Sequence, residues 1–208
     1  MMNLNVSSKK HSALFFFLIW MSLFPSIAIC QSNSNNDNKY LSSNEYELFK
    51  NIALEKANYF FYLLNRIGDK QTPRDSISFY INEADLLFHD SAMMEVKLSS
   101  GKASRRAILM YLKRISQLNY SELKIEVFSA FFVSNLQYVA TKMKGKIKIT
   151  EYEGVIAFEQ YFEGKKGDEI KYKDTTLKAM RVHVLVSESD IGKSWDVMLG
   201  DIFVLAVS

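Results

Sequence analysis

Residues 108–133 read ILMYLKRISQLNYSELKIEVFSAFFV, and a change of period inside this stretch decides the fold. Through Ile108, Tyr111, Leu112, Ile115 and Leu118 the apolar residues recur at three and four, the spacing of one helix face. From Tyr120 the pattern turns to period two, the spacing of a strand with one buried face. The rest of the chain keeps that second pattern. Strands are expected near 123–133, 136–149 with a break near Gly145, 154–162, 169–186 and 195–207, with residues 163–167, EGKKG, as a hairpin turn.

Upstream, the helical period dominates. Ser42 with Glu45, or Asn44 with Glu47, has capping-box spacing, and Phe49, Ile52, Ala53, Ala57, Phe60, Leu64 and Ile67 form the stripe that follows, with Gly68 as its stop. Thr72-Pro73-Arg74-Asp75 announces a second helix, with Thr72 as its cap and Ile77, Tyr80, Ile81, Ala84 and Leu87 on its buried face. Ala92, Met94, Val96 and Leu98 alternate with Met93, Glu95 and Lys97, a short strand ending in the turn Ser99-Ser100-Gly101-Lys102. Ser104 is placed to cap the third helix. Helices first and antiparallel strands last define an α+β fold, three N-terminal helices packed on one face of a curved antiparallel sheet. In the closing strand Trp195, Val197 and Leu199 share one parity, and Phe203 resumes it beyond Asp201, so Trp195 is expected in the core.

The amino terminus has a different character. Lys9 and Lys10 precede an apolar run from Ala13 to Phe24, then Pro25 and small residues, the order of a secretory signal peptide. The run is shorter than the roughly twenty residues a helix needs to cross a bilayer. Residues 1–30 are therefore read as the signal, with cleavage after Ala28 or Cys30. Cys30, the single cysteine, also fits a lipoprotein signal in which it becomes the acylated first residue, although Ile29 directly before it is bulkier than the glycine, alanine or serine such sites prefer. Residues 31–43 begin QSNSNNDN and form a polar tether, and residues 44–208 form one domain. The expected location is the periplasm or cell envelope of a bacterium, with membrane contact only through the signal or a lipid.

Of the 26 basic residues two fall in the signal, so 24 basic face 23 acidic residues in the exported part. That balance excludes the general positive footprint of a nucleic-acid binder. With no cysteine beyond residue 30 the domain has no disulfide, and a packed core must hold it together.

The tract from Leu87 to Val96, LFHDSAMMEV, the gap ending at Gly101, the segment Ala107 to Leu112 and the closing Trp195-Asp196-Val197 resemble the nuclear transport factor 2-like superfamily, including its SnoaL-like group. The resemblance spans about residues 44–207. It implies a cystatin-like cone with a cavity between helices and concave sheet, a homodimer in many members, and no single activity, since relatives include isomerases, dehydratases, hydrolases and binding domains.

Chemistry-bearing residues are sparse. Tyr80 and Tyr111 from the helices and Glu126 and Glu159 from the strands are the ligand-cavity candidates, set against core packing for the tyrosines and a solvent face for the glutamates. Lys142, Lys144, Lys146 and Lys148 recur at period two, a ladder for an anionic partner or a guard against edge pairing. His89 and Asp90 read as turn residues. His183 shares parity with Ala179, Arg181 and Leu185, opposite the apolar Met180, Val182 and Val184, and is expected to point outward. No histidine or cysteine pair has metal-ligand spacing, and no catalytic motif or cofactor signature occurs. The leading reading is an exported, non-enzymatic domain that binds a small ligand or an envelope protein. Its alternatives are a small-molecule isomerase, dehydratase or hydrolase of the SnoaL-like type, and a lipid-tethered structural subunit.

Overall fold

The computed structural model describes residues 40–97 and 103–207. The expected signal peptide, Cys30, nearly all of the tether and the 99–102 turn lie outside the described residues. Helix α1 spans Ser43–Gly68, α2 Arg74–Asp85 and α3 Ile108–Ser116; the strands are β1 Met93–Lys97, β2 Ala103–Ala107, β3 Glu122–Lys144, β4 Ile147–Lys166, β5 Glu169–Ser189 and β6 Gly192–Val207. They form one six-stranded sheet in the order β2-β1-β6-β5-β4-β3. All neighbours are antiparallel except β1 and β6, which run parallel at Met94 and Ile202. The fold is α+β, with the three helices on a curved sheet.

Helix α1 begins as its sequence dictates. The Ser42 hydroxyl accepts the Glu45 N–H at 3.3 Å, and the Glu45 carboxylate accepts the Ser42 N–H at 3.0 Å. Lys193, near the start of β6, also donates to Glu45 and ties the helix start to the sheet. Phe49, Ala53, Ala57, Phe60, Leu64 and Ile67 are all buried, joined by Leu63. At the far end the Asn65 amide donates to the Ile125 carbonyl of β3 at 2.8 Å.

Three local expectations are corrected. Thr72 does not cap α2: the capping position is Pro73, and the buried Thr72 hydroxyl has no hydrogen-bond partner among the described residues. The proline supplies the fixed backbone angle that opens the helix, so the threonine is turned into the core instead. Ser104 does not cap α3 but sits in β2 opposite Val96, and the helix starts at Ile108 with no side-chain cap. β2 reads ASRRA and lacks any apolar alternation, so only pairing with β1 makes it a strand. Residues 133–136 do not separate two strands, because β3 runs unbroken to Lys144 and bends through register shifts between Phe128 and Ala140. Each bulge inserts an unpaired residue, which scrambles the period of two without ending the strand. Ser129, with φ +55, marks the first of them.

The closing strand holds a further bulge. Val182 pairs with Leu199 and Met180 with Ile202, so Gly200 and Asp201 together face Arg181. The slip moves the buried row from Leu199 to Ile202 rather than to Phe203, which is only half-buried. Asp201 uses the bulge to accept the Met93 N–H at 2.8 Å and the Arg105 guanidinium at 2.6 Å, fixing β1 and β2 to β6. Trp195 is corrected as well: it is 49 % exposed, packed on one side against Phe49 with ring centroids 5.9 Å apart.

Candidate functional site

The sheet's inner face is apolar along most of its length and turns polar at one end. On β5 the inward row runs Val186, Val184, Val182 and Met180, then Lys178, Thr176, Asp174 and Tyr172. On β4 the corresponding row runs Ile156 and Phe158, then Gln160 and Phe162. The register sets Phe158 beside Lys178, Gln160 beside Thr176 and Phe162 beside Asp174. Helix α3 lies over this polar end and contributes Tyr111, Arg114 and Ile115, while Val96, Lys97, Arg106 and Val204 close the sides. A cavity of about 310 Å³ remains between them.

Lys178 is the unusual residue in it. It is 6 % exposed, and its ammonium has no carboxylate within ion-pair distance among the described residues; its recorded contact is the Met94 sulfur at 4.0 Å. Burial lowers its pKa to about 8, against a weaker opposing pull from Asp174. Asp174 is engaged elsewhere, accepting a hydrogen bond from the Tyr172 hydroxyl. Burial, with that carboxylate, pushes Tyr172 up to about 12. Tyr111, 6 % exposed, is likewise raised to about 12 by burial, while its hydrogen bond with Gln160 acts the other way. The cavity thus offers one buried cation, two protonated hydroxyls and an amide beside the apolar walls of Val96, Ile115, Leu118, Phe162 and Val204. Such a set can bind a polar group at one end and an apolar body at the other.

The candidates read from sequence scatter. Tyr111 lines the cavity. Tyr80 does not; its ring meets that of Phe79 edge-on and lies under the Arg66 guanidinium at 5.8 Å. Glu126 lies on the outer face of the sheet with Lys124 at 3.1 Å, and Glu159 is exposed on the same face. The lysine ladder is broken by a hairpin turn at Gly145 and Lys146. Lys142 and Lys144 pair with Ile149 and Ile147, whereas Lys148 pairs with Met143 and so points to the opposite face, bound to Glu188 at 3.3 Å. A turn reverses the chain, and a period of two cannot survive it as one row.

His183 faces outward as its parity requires. Its Nδ1 lies 3.2 Å from Glu151, and its ring lies 5.8 Å from that of His89. His89 is held in its turn by Ser91, at 3.0 Å. Among the described residues no three His, Cys, Asp or Glu side chains stand together as a metal site, and no helix is long and apolar enough to cross a membrane.

No family model matches the chain, and no curated protein matches it. Among solved structures it is similar to a candidate scytalone dehydratase from Novosphingobium aromaticivorans, at 11 % identity over 79 % of this chain and 90 % of that one, with a TM-score of 0.40. No residue role follows from so loose a likeness.

Proposed function

We propose that this chain is an exported member of the nuclear transport factor 2-like superfamily that holds a small molecule in the cavity between α3 and the sheet. Membership is supported by the helix-helix-strand order, by the strand order with its parallel β1–β6 contact, and by the tract from Leu87 to Leu112. Export is supported by Lys9, Lys10 and the short apolar run behind them. The observation that carries the binding function is Lys178. A buried ammonium without a counterion costs stability, and an apolar residue of similar size would fill the same space at less cost. A cavity ligand gives that cation a partner.

A second reading is favoured by the same cavity. Asp174, Tyr172, Tyr111 and Lys178 are ionisable, share one pocket, and include a direct carboxylate–hydroxyl contact, which is the raw material for proton transfer in an isomerase, dehydratase or hydrolase. Screening a small-molecule library by thermal shift, with hits mapped by methyl NMR, tests binding and supplies substrates for the second reading. Hits that perturb Val96, Ile115 and Val204 and are turned over favour the enzyme; hits that bind unchanged favour the binding domain. A library without a hit in this cavity contradicts both.

A further inference from the structure

We infer that the ligand is a small organic monoanion, a carboxylate on an apolar body, seated with its carboxylate against Lys178 and its body along Ile115, Leu118, Phe162 and Val204. This rests on the cavity being the ligand site.

Charge gives the sign. The lining holds four cations, Lys97, Arg106, Arg114 and Lys178, against one carboxylate, Asp174. None of the four has an ion-pair partner among the described residues, and Asp174 is already engaged by Tyr172. Burial gives the number of charges. Lys97, Arg106 and Arg114 are exposed, where water and salt screen them, so they attract an anion toward the opening but add little once it is bound. Lys178 alone is buried, and one ammonium in a low-dielectric site is satisfied by one negative charge. A dianion such as a phosphate ester would leave a second charge desolvated and unpaired. The amide of Gln160 and the hydroxyl of Tyr111 stand in the same cavity as further donors for a carboxylate.

Volume and walls give the rest. About 310 Å³ is at the small end of ligand cavities. Beside the polar groups Ile115, Leu118, Phe162 and Val204 form an apolar wall, suited to a hydrocarbon body.

The test is a titration of the purified protein with 4-phenylbutyrate, with its neutral isostere 4-phenylbutan-1-ol and with phenyl phosphate, read from the methyl signals of Val96, Ile115, Leu118 and Val204. The acid is expected to shift those methyls and to bind about tenfold or more tighter than the alcohol, the scale of one charge-assisted hydrogen bond. Lys178→Met should reduce the acid to the affinity of the alcohol and leave the alcohol unchanged. An alcohol bound as tightly as the acid overturns the monoanion while the cavity reading stands. So does phenyl phosphate binding tighter than the acid. An acid that shifts no cavity methyl, or keeps its advantage in Lys178→Met, also overturns it. If none of the three probes reaches the cavity, the inference falls together with the reading beneath it. The acid-to-alcohol ratio in the unaltered protein decides the question even where Lys178→Met fails to fold.

Discussion

Asp174 and Lys178 share the inward row of β5 and one cavity, yet the carboxylate is engaged by the Tyr172 hydroxyl and the ammonium has no carboxylate within ion-pair distance among the described residues. A stability-driven core would pair these charges or remove them. Their separation leaves a positive charge available at the floor of a cavity, and it makes Lys178 a cost that a denaturation experiment can read.

The sign of that cost follows from linkage. The folded pKa of Lys178 is depressed to about 8 from 10.5, so both states carry the proton below pH 8 and the folded state bears the full desolvation penalty there. Between pH 8 and 10.5 the unfolded chain binds more protons than the folded one, and stability from this group rises with pH. Lys178→Met is therefore expected to be more stable than the unaltered protein at pH 7 by about 2 to 3 kcal/mol. The gap should narrow as pH climbs from 8 to 10.5. Denaturant midpoints of both proteins across that range measure it, and a gap that stays constant would show that Lys178 is not desolvated.

Glu45 provides the opposite case. The Lys193 hydrogen bond, with those from Ser42, lowers its pKa to about 2, so its contribution is present above pH 4.5 and is lost as pH falls toward 2. The pair is partly exposed and solvent screens it. Glu45→Gln should cost about 1 kcal/mol at pH 7 and progressively less below pH 4.5. A loss that is the same at pH 3 and pH 7 would assign the effect to helix capping alone.

Thr72 tests the corrected start of α2. Its hydroxyl is buried without a partner among the described residues, and such a group costs about 1 to 3 kcal/mol. Thr72→Val, which keeps the shape and removes the hydroxyl, should stabilise the protein by about 1 kcal/mol. Destabilisation of that size would restore the threonine to a capping role.

Trp195 covers Phe49 but stands half in solvent. Trp195→Ala should cost about 1 kcal/mol, well below the 2 to 5 expected for Leu199→Ala in the fully buried row beside it. Protein spanning residues 31–208, in which Trp195 is the single tryptophan, should emit as a partly hydrated indole. A Trp195→Ala loss matching that of Leu199→Ala would return the ring to the core.

Much of this fold was legible in the chain. The stripe of α1, its capping box and the switch to strands after Leu118 depend on short-range spacing, and each is where its residues place it. What was not legible depends on partners far away in sequence. β2 has no pattern of its own and exists because β1 pairs with it. The bulge at Gly200 and Asp201 is set by Met93 and Arg105, and it redirects the parity on which the expected placement of Phe203 rested. The site was half visible. Lys178 and Gln160 share parity with Met180 and Phe158 on strands whose inner rows are otherwise apolar, and a charged or amide residue on a buried row is the signal that points to them. Tyr111 stood on the α3 stripe. Glu126 and Glu159 fall on the other parity of their strands, the outer face.

The central claim, a small molecule held at Lys178 under α3, is tested most directly by native mass spectrometry of the protein isolated from its native cells. A parallel sample carries Leu118→Trp, which fills the cavity from its wall. The account predicts a bound species of low mass on the unaltered protein, released on unfolding, acidic in character, and missing from a folded Leu118→Trp variant. A species carried equally by both proteins, or an unliganded mass in a native extract where ligand was kept from dissociating, would contradict it.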